Sequence, residues 1–412
     1  MNALVQALRL RPSAIGVGAD ARTVAVAGGG LLVGAALLLQ QGSGQMAALL
    51  LIGGALGLVL YHAAFGFTSA WRVFIADRQG AGLRAQMLML AVATLLFLPV
   101  LATGSLFGQP VAGAVAPVGV SLLVGAFMFG AGMQLGGGCA SGTLFTAGGG
   151  NTRMWITLAA FIAGSVIATA HVPWWFEQPA LPTISLLDTF GLEGAIALQL
   201  AAFAAIAGLT VVLEHRRHGR LLPEGQTDRR GLARLIAGPW PLVWGALALA
   251  GLNFLTLGVA GHPWGITYGL TLWGAKIASG LGVDVAAWEF WTWPFHKNAL
   301  AGSVFANTTS VMNFGIVAGA LLAAGLAGRF APSAPWRLPV RSVLAAIIGG
   351  LLMGYGARLA FGCNIGAYFS GIASASLHGW VWFVAAMAGS VLGTRLRPLF
   401  GLAVERARLT GC

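Results

Sequence analysis

Two short segments hold the side chains most able to do chemistry. Residues 130–145 read GAGMQLGGGCASGTLF and residues 354–369 read GYGARLAFGCNIGAYF. At a fixed offset of 224 they share Gly130/Gly354, Gly132/Gly356, Leu135/Leu359, Gly138/Gly362, Cys139/Cys363, Gly142/Gly366 and Phe145/Phe369. With one residue of slippage, the AGSV at 163–166 recurs at 388–391. Gly/Ala-rich sequence produces some identities by chance. It would not readily place the only two internal cysteines in register; the third, Cys412, is the last residue.

Glycine this dense breaks a helix or lets backbones touch. A broken helix survives inside a bilayer only where it is buried or lines a cavity, and its free N–H groups then offer a positive end to an anion. A thiol adds a weak donor and a soft sulfur acceptor. Two thiols on one cavity suit a soft, weakly hydrated sulfur anion better than phosphate, provided they stay neutral. The plainer alternative is close helix packing with cysteine as a small hydrophobe. Two cysteines without a neighbouring histidine lack a four-ligand set, so no metal or other cofactor is expected. Arg358 lies five residues before Cys363, and Lys276 interrupts another apolar stretch. Cations inside membranes are costly, and they bind, cap carbonyls or snorkel. Gln134 aligns with Arg358 and is uncharged. The expected substrate-binding set is Cys139, Cys363, Gly138, Gly362, Ser141, Asn364, Arg358 and Lys276.

The elements that must position this set are membrane spans. Of 412 residues, 58% are hydrophobic and 8% charged, with mean hydropathy +0.83. A soluble domain carries about 25% charged residues. Apolar segments long enough to cross, or nearly so, fall near 24–41, 47–66, 85–104, 116–135, 155–170, 195–213, 238–258, 264–282, 304–327, 342–359 and 379–394. Fourteen Trp fit residence at the headgroup level, and sixty-two Gly fit close packing. Arg9, Arg11 and Arg22 precede the first apolar run without a cleavage site, which reads as an uncleaved first span.

The net charge of +12 reads as cytoplasmic loop enrichment rather than nucleic-acid binding. Arg72, Arg78 and Arg84 mark 72–84 as cytoplasmic, as does the run Arg216, Arg217, Arg220, Arg229, Arg230 and Arg234, with Glu214, Glu224 and Asp228. The uncharged 41–46 and 105–115 suit the outside, and so does 171–194. All acidic residues, including Asp77 and Glu405, fall at or beyond segment ends, which argues against a carboxylate proton relay. His62, His262, His296 and His378 are expected at the interface. The sequon at Asn307 calls for no glycan.

The fold expected is all-α: a polytopic membrane protein with two pseudo-symmetric halves and short broken or re-entrant helices near the midplane. The first half is 1–213, the Arg-rich loop 214–237 and the second half 238–412. Arg329, Arg337 and Arg341 start the 342–359 span inside, whereas 116–135 starts outside, which favours inverted repeats. Counting full crossings conflicts with inversion unless a segment is re-entrant, and the orientation of the termini stays open.

Residues 356–367, reading GARLAFGCNIGA, resemble a hallmark of the YeeE/YedE family of sulfur-transport membrane proteins. So do 137–144 (GGCASGTL), 263–269 (PWGITYG) and 272–276 (LWGAK), and the likeness runs from about 47 to 397. The resemblance implies thiosulfate uptake through a two-half helical body pinched at its centre. Cysteines at the pinch, here Cys139 and Cys363, would pass thiosulfate along by S–H hydrogen bonds. Thiosulfate-type members often carry a further cysteine near the segment resembling 65–70, and this chain has none there, so another sulfur or a selenium species stays open. The reading is a multi-pass permease of a bacterial inner membrane, not an enzyme. Its partners are a small sulfur-containing anion, the lipid bilayer and a soluble cytoplasmic sulfur-carrier protein. The rival is a membrane redox or sulfurtransferase partner that uses Cys139 and Cys363 covalently.

Overall fold

The computed structural model describes residues 18–106, 108–223, 229–332, 334 and 337–404. Arg9, Arg11, Glu224, Asp228, Glu405 and Cys412 lie outside the described residues.

The helices are α1 (Ala21–Gln40), α2 (Gly44–His62), α3 (Phe67–Asp77), α4 (Ala81–Thr103), α5 (Val120–Gly136), α6 (Ala140–Gly148), α7 (Thr152–Phe176) and α8 (Leu186–His218). They continue as α9 (Gly231–Ala237), α10 (Leu242–Ala260), α11 (Thr267–Gly280), α12 (Glu289–Thr292), α13 (Pro294–Ala301), α14 (Thr308–Leu326), α15 (Val340–Leu359) and α16 (Leu377–Leu396). A π-helical turn, Asn364–Ser370, runs into Gly371–Ala373 between the last two. Among the described residues, strand is confined to two-residue antiparallel ladders, such as Val118–Gly119 against Ala180–Leu181. Among the described residues ten helical stretches are long and apolar enough to cross a membrane, with α2 and α3 counted together, and α5 and α6 likewise. This is a multi-pass, all-α membrane protein.

The connections gather at two ends. At one end Arg84 and the Gly80 N–H meet Glu214, the Trp240 N–H donates to His62 O, and Arg153 donates to Ser342. At the other end the Ala112 N–H donates to Gly261 O, the Ala114 N–H to Ser374 Oγ, and the Leu186 N–H to Ala375 O. The first end holds Arg78, Arg84, Arg153, Arg217 and Arg341, so the positive-inside rule makes it cytoplasmic. Helix α11 has fourteen residues, too few to cross a hydrocarbon core of about 30 Å at about 1.5 Å per residue. It stays on the outer side beside α14, and the expectation of a span at 264–282 is corrected. The conflict between crossing count and inversion goes with it.

The core is a set of glycine-mediated contacts that recur across the 224-residue register. A Cβ at Gly130 would run into Ala386 O, and one at Gly354 into Phe161 O. A Cβ at Gly389 would meet Phe127 O, and one at Gly164 would meet Leu351 O. Ser165 Oγ donates to Gly354 O and Ser390 Oγ to Gly130 O, both at 3.2 Å. Helices α5 and α15 run antiparallel, since Gly125 faces Gly356 and Gly132 faces Gly349. No residue but glycine permits backbones this close.

Other expectations need correcting. Trp71, Trp264, Trp291 and Trp382 are fully buried rather than interfacial, because each packs among other aromatic or apolar side chains of the core. His62 and His378 are also buried. His62 lies under Trp240, and His378 bonds Ser376 Oγ at 2.6 Å. Helix α8 carries Glu214, Arg216 and Arg217 on to His218, so the loop begins later than 214. Arg72 is 5% exposed and does not sit in a solvated loop.

Gly354→Ala should lower the thermal unfolding midpoint in detergent, at a cost of about 1–3 kcal/mol for overpacking. Gly29→Ala, where nothing lies within 4 Å, should be neutral or slightly stabilising. Equal midpoints for the two variants would remove close packing as the role of Gly354.

Candidate functional site

Helix α5 ends at Gly137, whose φ of +93° suits glycine alone, and the chain turns through Gly138 into Cys139. Cys139 is extended and N-caps α6: the Gly142 N–H donates to its Sγ at 3.5 Å, and Ser141 Oγ lies 3.3 Å away. The second break repeats this. Phe361 and Gly362 take positive φ, and Cys363 N-caps the π-helical turn, with the Ile365 N–H donating to its Sγ at 3.4 Å. Both cysteines are free and buried, and α6 touches the π-helical turn. In each, sulfur accepts from a backbone N–H, and Cys139 Sγ and Ser141 Oγ can each act as donor to the other.

Polar groups without partners sit beside both caps. Asn364 is fully buried, and neither its Oδ1 nor its Nδ2 has a hydrogen-bond partner. Thr143, one turn after Cys139, is buried with Oγ1 equally unpaired. Unpaired buried polar atoms are costly, so they mark places where a water or ligand belongs.

The PWGITYG segment wraps the second break. Asn253 Oδ1 accepts from the Trp264 N–H at 2.8 Å, Asn253 Nδ2 donates to Ser370 Oγ, and Ser370 Oγ donates to Trp264 O. Asn313 donates to Ile266 O, and Arg358 donates to Thr267 Oγ1 at 2.5 Å. Arg358 Nε has no partner. Tyr268 OH bonds His296 Nδ1 at 3.0 Å.

Lys276 lies apart from the cysteines. It donates to Leu300 O and Gly302 O and lines an outer cleft of about 640 Å³ with Lys297, the chain's other lysine. Sequence reasoning passed over Tyr368, which stacks on Phe383 and meets Trp71 and Phe67 edge-on. It also passed over Gln86, whose Oε1 accepts from Trp71 Nε1 at 2.9 Å and from Tyr368 OH at 3.4 Å. Phe67 and Trp71, at and just past the 65–70 segment, thus present aromatic rings to the π-helical turn. Among the described residues no cluster of three or more His, Cys, Asp or Glu could hold a metal.

A family described as sulphur transport matches residues 62–392. A protein named thiosulfate transporter TsuA from Spirochaeta thermophila is 28% identical over 347 residues, covering 81% of this chain and 93% of that one. Escherichia coli TsuA, of the same name, is 26% identical, covering 82% and 91%. The Escherichia coli protein named probable transporter YedE is 33% identical over 173 residues, so this chain aligns with only 42% of that relative's length.

Asn253→Ala would leave the Trp264 N–H without its acceptor and Ser370 Oγ without one donor. It should destabilise the protein by about 1–3 kcal/mol, read as a lower unfolding midpoint, and speed amide exchange at 364–370. Unchanged exchange there would show that this network does not hold the turn.

Proposed function

The chain belongs to the sulphur-transport family, and on that premise we propose that it is a permease for a small sulfur-containing anion, with thiosulfate the first candidate. The observation that carries this is the pairing of two buried thiols, each N-capping a short helix at a break in a span. Each sulfur is held by a backbone N–H; the Cys363 S–H can turn to a passing anion, and the Cys139 S–H can do so when Ser141 Oγ donates to its sulfur. Asn364 and Thr143 offer unpaired polar atoms at the same breaks. The names of the two relatives aligned over most of their length point to thiosulfate. With no cysteine in 65–70, the relay in this chain has two stations.

The reciprocal glycine contacts support two halves related by a pseudo-twofold axis. Because the equivalent helices α5 and α15 run antiparallel, that axis crosses the helices and the repeats are inverted, as in many transporters. One break then serves each side of the membrane. A soluble sulfur carrier would receive the anion at the Arg-rich cytoplasmic end.

The nearness of two free thiols also suits a covalent sulfurtransferase, and the two readings part on chemistry. A permease leaves its thiols unchanged, whereas covalent transfer needs a persulfide or disulfide intermediate. In proteoliposomes, Cys139→Ser and Cys363→Ser should each cut labelled thiosulfate uptake several-fold, since a lost contact of about 1 kcal/mol suffices. Protein recovered after turnover should show neither thiol modified by mass spectrometry. Normal uptake by the double variant would end the relay reading, and a stoichiometric adduct required for turnover would favour the sulfurtransferase.

A further inference from the structure

The second half keeps its buried cation on α15, as Arg358. At the same register in the first half stands Gln134, an amide. A guanidinium appears instead on the neighbouring helix α3, where Arg72 donates to Gln134 Oε1 at 3.3 Å and is 5% exposed. At the offset of 224, Arg72 falls on His296, whose Nδ1 bonds Tyr268 OH one residue from Thr267, the partner of Arg358. Helices α4 and α14 hold that register in between. Each half therefore carries one guanidinium and one neutral polar side chain at the same two register positions, with the guanidinium on opposite members of the pair.

The two pairs lie at opposite ends of the molecule. Arg358 ends α15 at the outer side. Arg72 sits at the cytoplasmic side, against the last turn of α5, where Arg153 donates to Leu135 O and Gly136 O and Arg397 donates to Gln134 O. Gly136 is three residues before Cys139. The negative end of the α5 dipole lowers the cost of three guanidiniums there, and the inner cysteine cap lies directly beyond them.

We infer that Arg72 is the inner counterpart of Arg358, a second anion-binding residue that takes the sulfur oxyanion from the cysteine pair towards the cytoplasm. This rests on the transport reading above. A packing role for Arg72 would hold α3 to α5 without regard to the side from which anion arrives.

Half-saturation for thiosulfate, measured separately from each face in right-side-out and inside-out vesicles, separates the two. Arg72→Gln should raise the cytoplasmic-face value about tenfold, the loss expected for a hydrogen bond to a charged group, and move the outer value less than about twofold. Arg358→Gln should do the reverse. The double variant Arg72→His with Gln134→Arg copies the second half and should return the cytoplasmic value to within about twofold of wild type. It also decides the matter if Arg72→Gln fails to fold. Equal changes on both faces, no change, or a double variant still about tenfold weaker would overturn the inference. Wild-type protein that exchanges no thiosulfate in either direction would refute the transport reading and this inference with it.

Discussion

A helix broken inside a bilayer leaves backbone N–H and C=O groups that water cannot reach, and each must find a partner within the protein. This chain breaks two spans, and much of its architecture answers the consequences. On the N-terminal side of each restart the partner is a cysteine sulfur, at Cys139 and Cys363. At the helix end that precedes the first break it is arginine, with Arg153 and Arg397 taking the carbonyls of residues 134–136. At the second, Leu359 O accepts from Ser121 Oγ at the start of α5. The halves cap each other, so neither break is satisfied by its own half alone.

That mutual capping requires close approach, which explains the glycines. Gly125, Gly132, Gly349 and Gly356 bring α5 and α15 together backbone to backbone, and Gly130 and Gly354 seat α16 and α7 against them. Hydrophobic burial cannot drive such association in lipid, where the surroundings are as apolar as the side chains; packing and interhelical hydrogen bonds do. The bonds from Ser165 and Ser390 to carbonyls of the partner helix are of that kind.

Much of this was legible in the sequence because it depends on spacing. The cysteine register, the glycine density and the apolar lengths survive any uncertainty about three-dimensional detail, and the cytoplasmic placement of the Arg-rich loops follows from charge alone. What was not legible depends on which side of a helix a residue takes. Arg72 looks like its neighbours Arg78 and Arg84 in a list of loop charges, yet α3 turns it inward to Gln134. Trp264 and His378 look interfacial by type, and only contacts made by distant segments bury them. Asn253 shows no signal in an apolar run, because its partners, Trp264 and Ser370, come from later in the chain.

In the permease proposed above, the distribution of charge along the pathway follows from what passage demands. A conducting site must attract its anion enough to admit it and hold it weakly enough to release it. A guanidinium at the narrowest point, in surroundings of low dielectric, would bind a dianion too strongly to let it go. On that reading the cations stand instead at the two ends, Arg358 outside and Arg72 within, and the centre between them carries the two thiols. A thiol is a poor donor, and a polarisable sulfur meets another sulfur without either having to shed a tightly held hydration shell. The weakness of the S–H bond is therefore suited to its position, since a stronger donor at the same place would turn a passage into a trap.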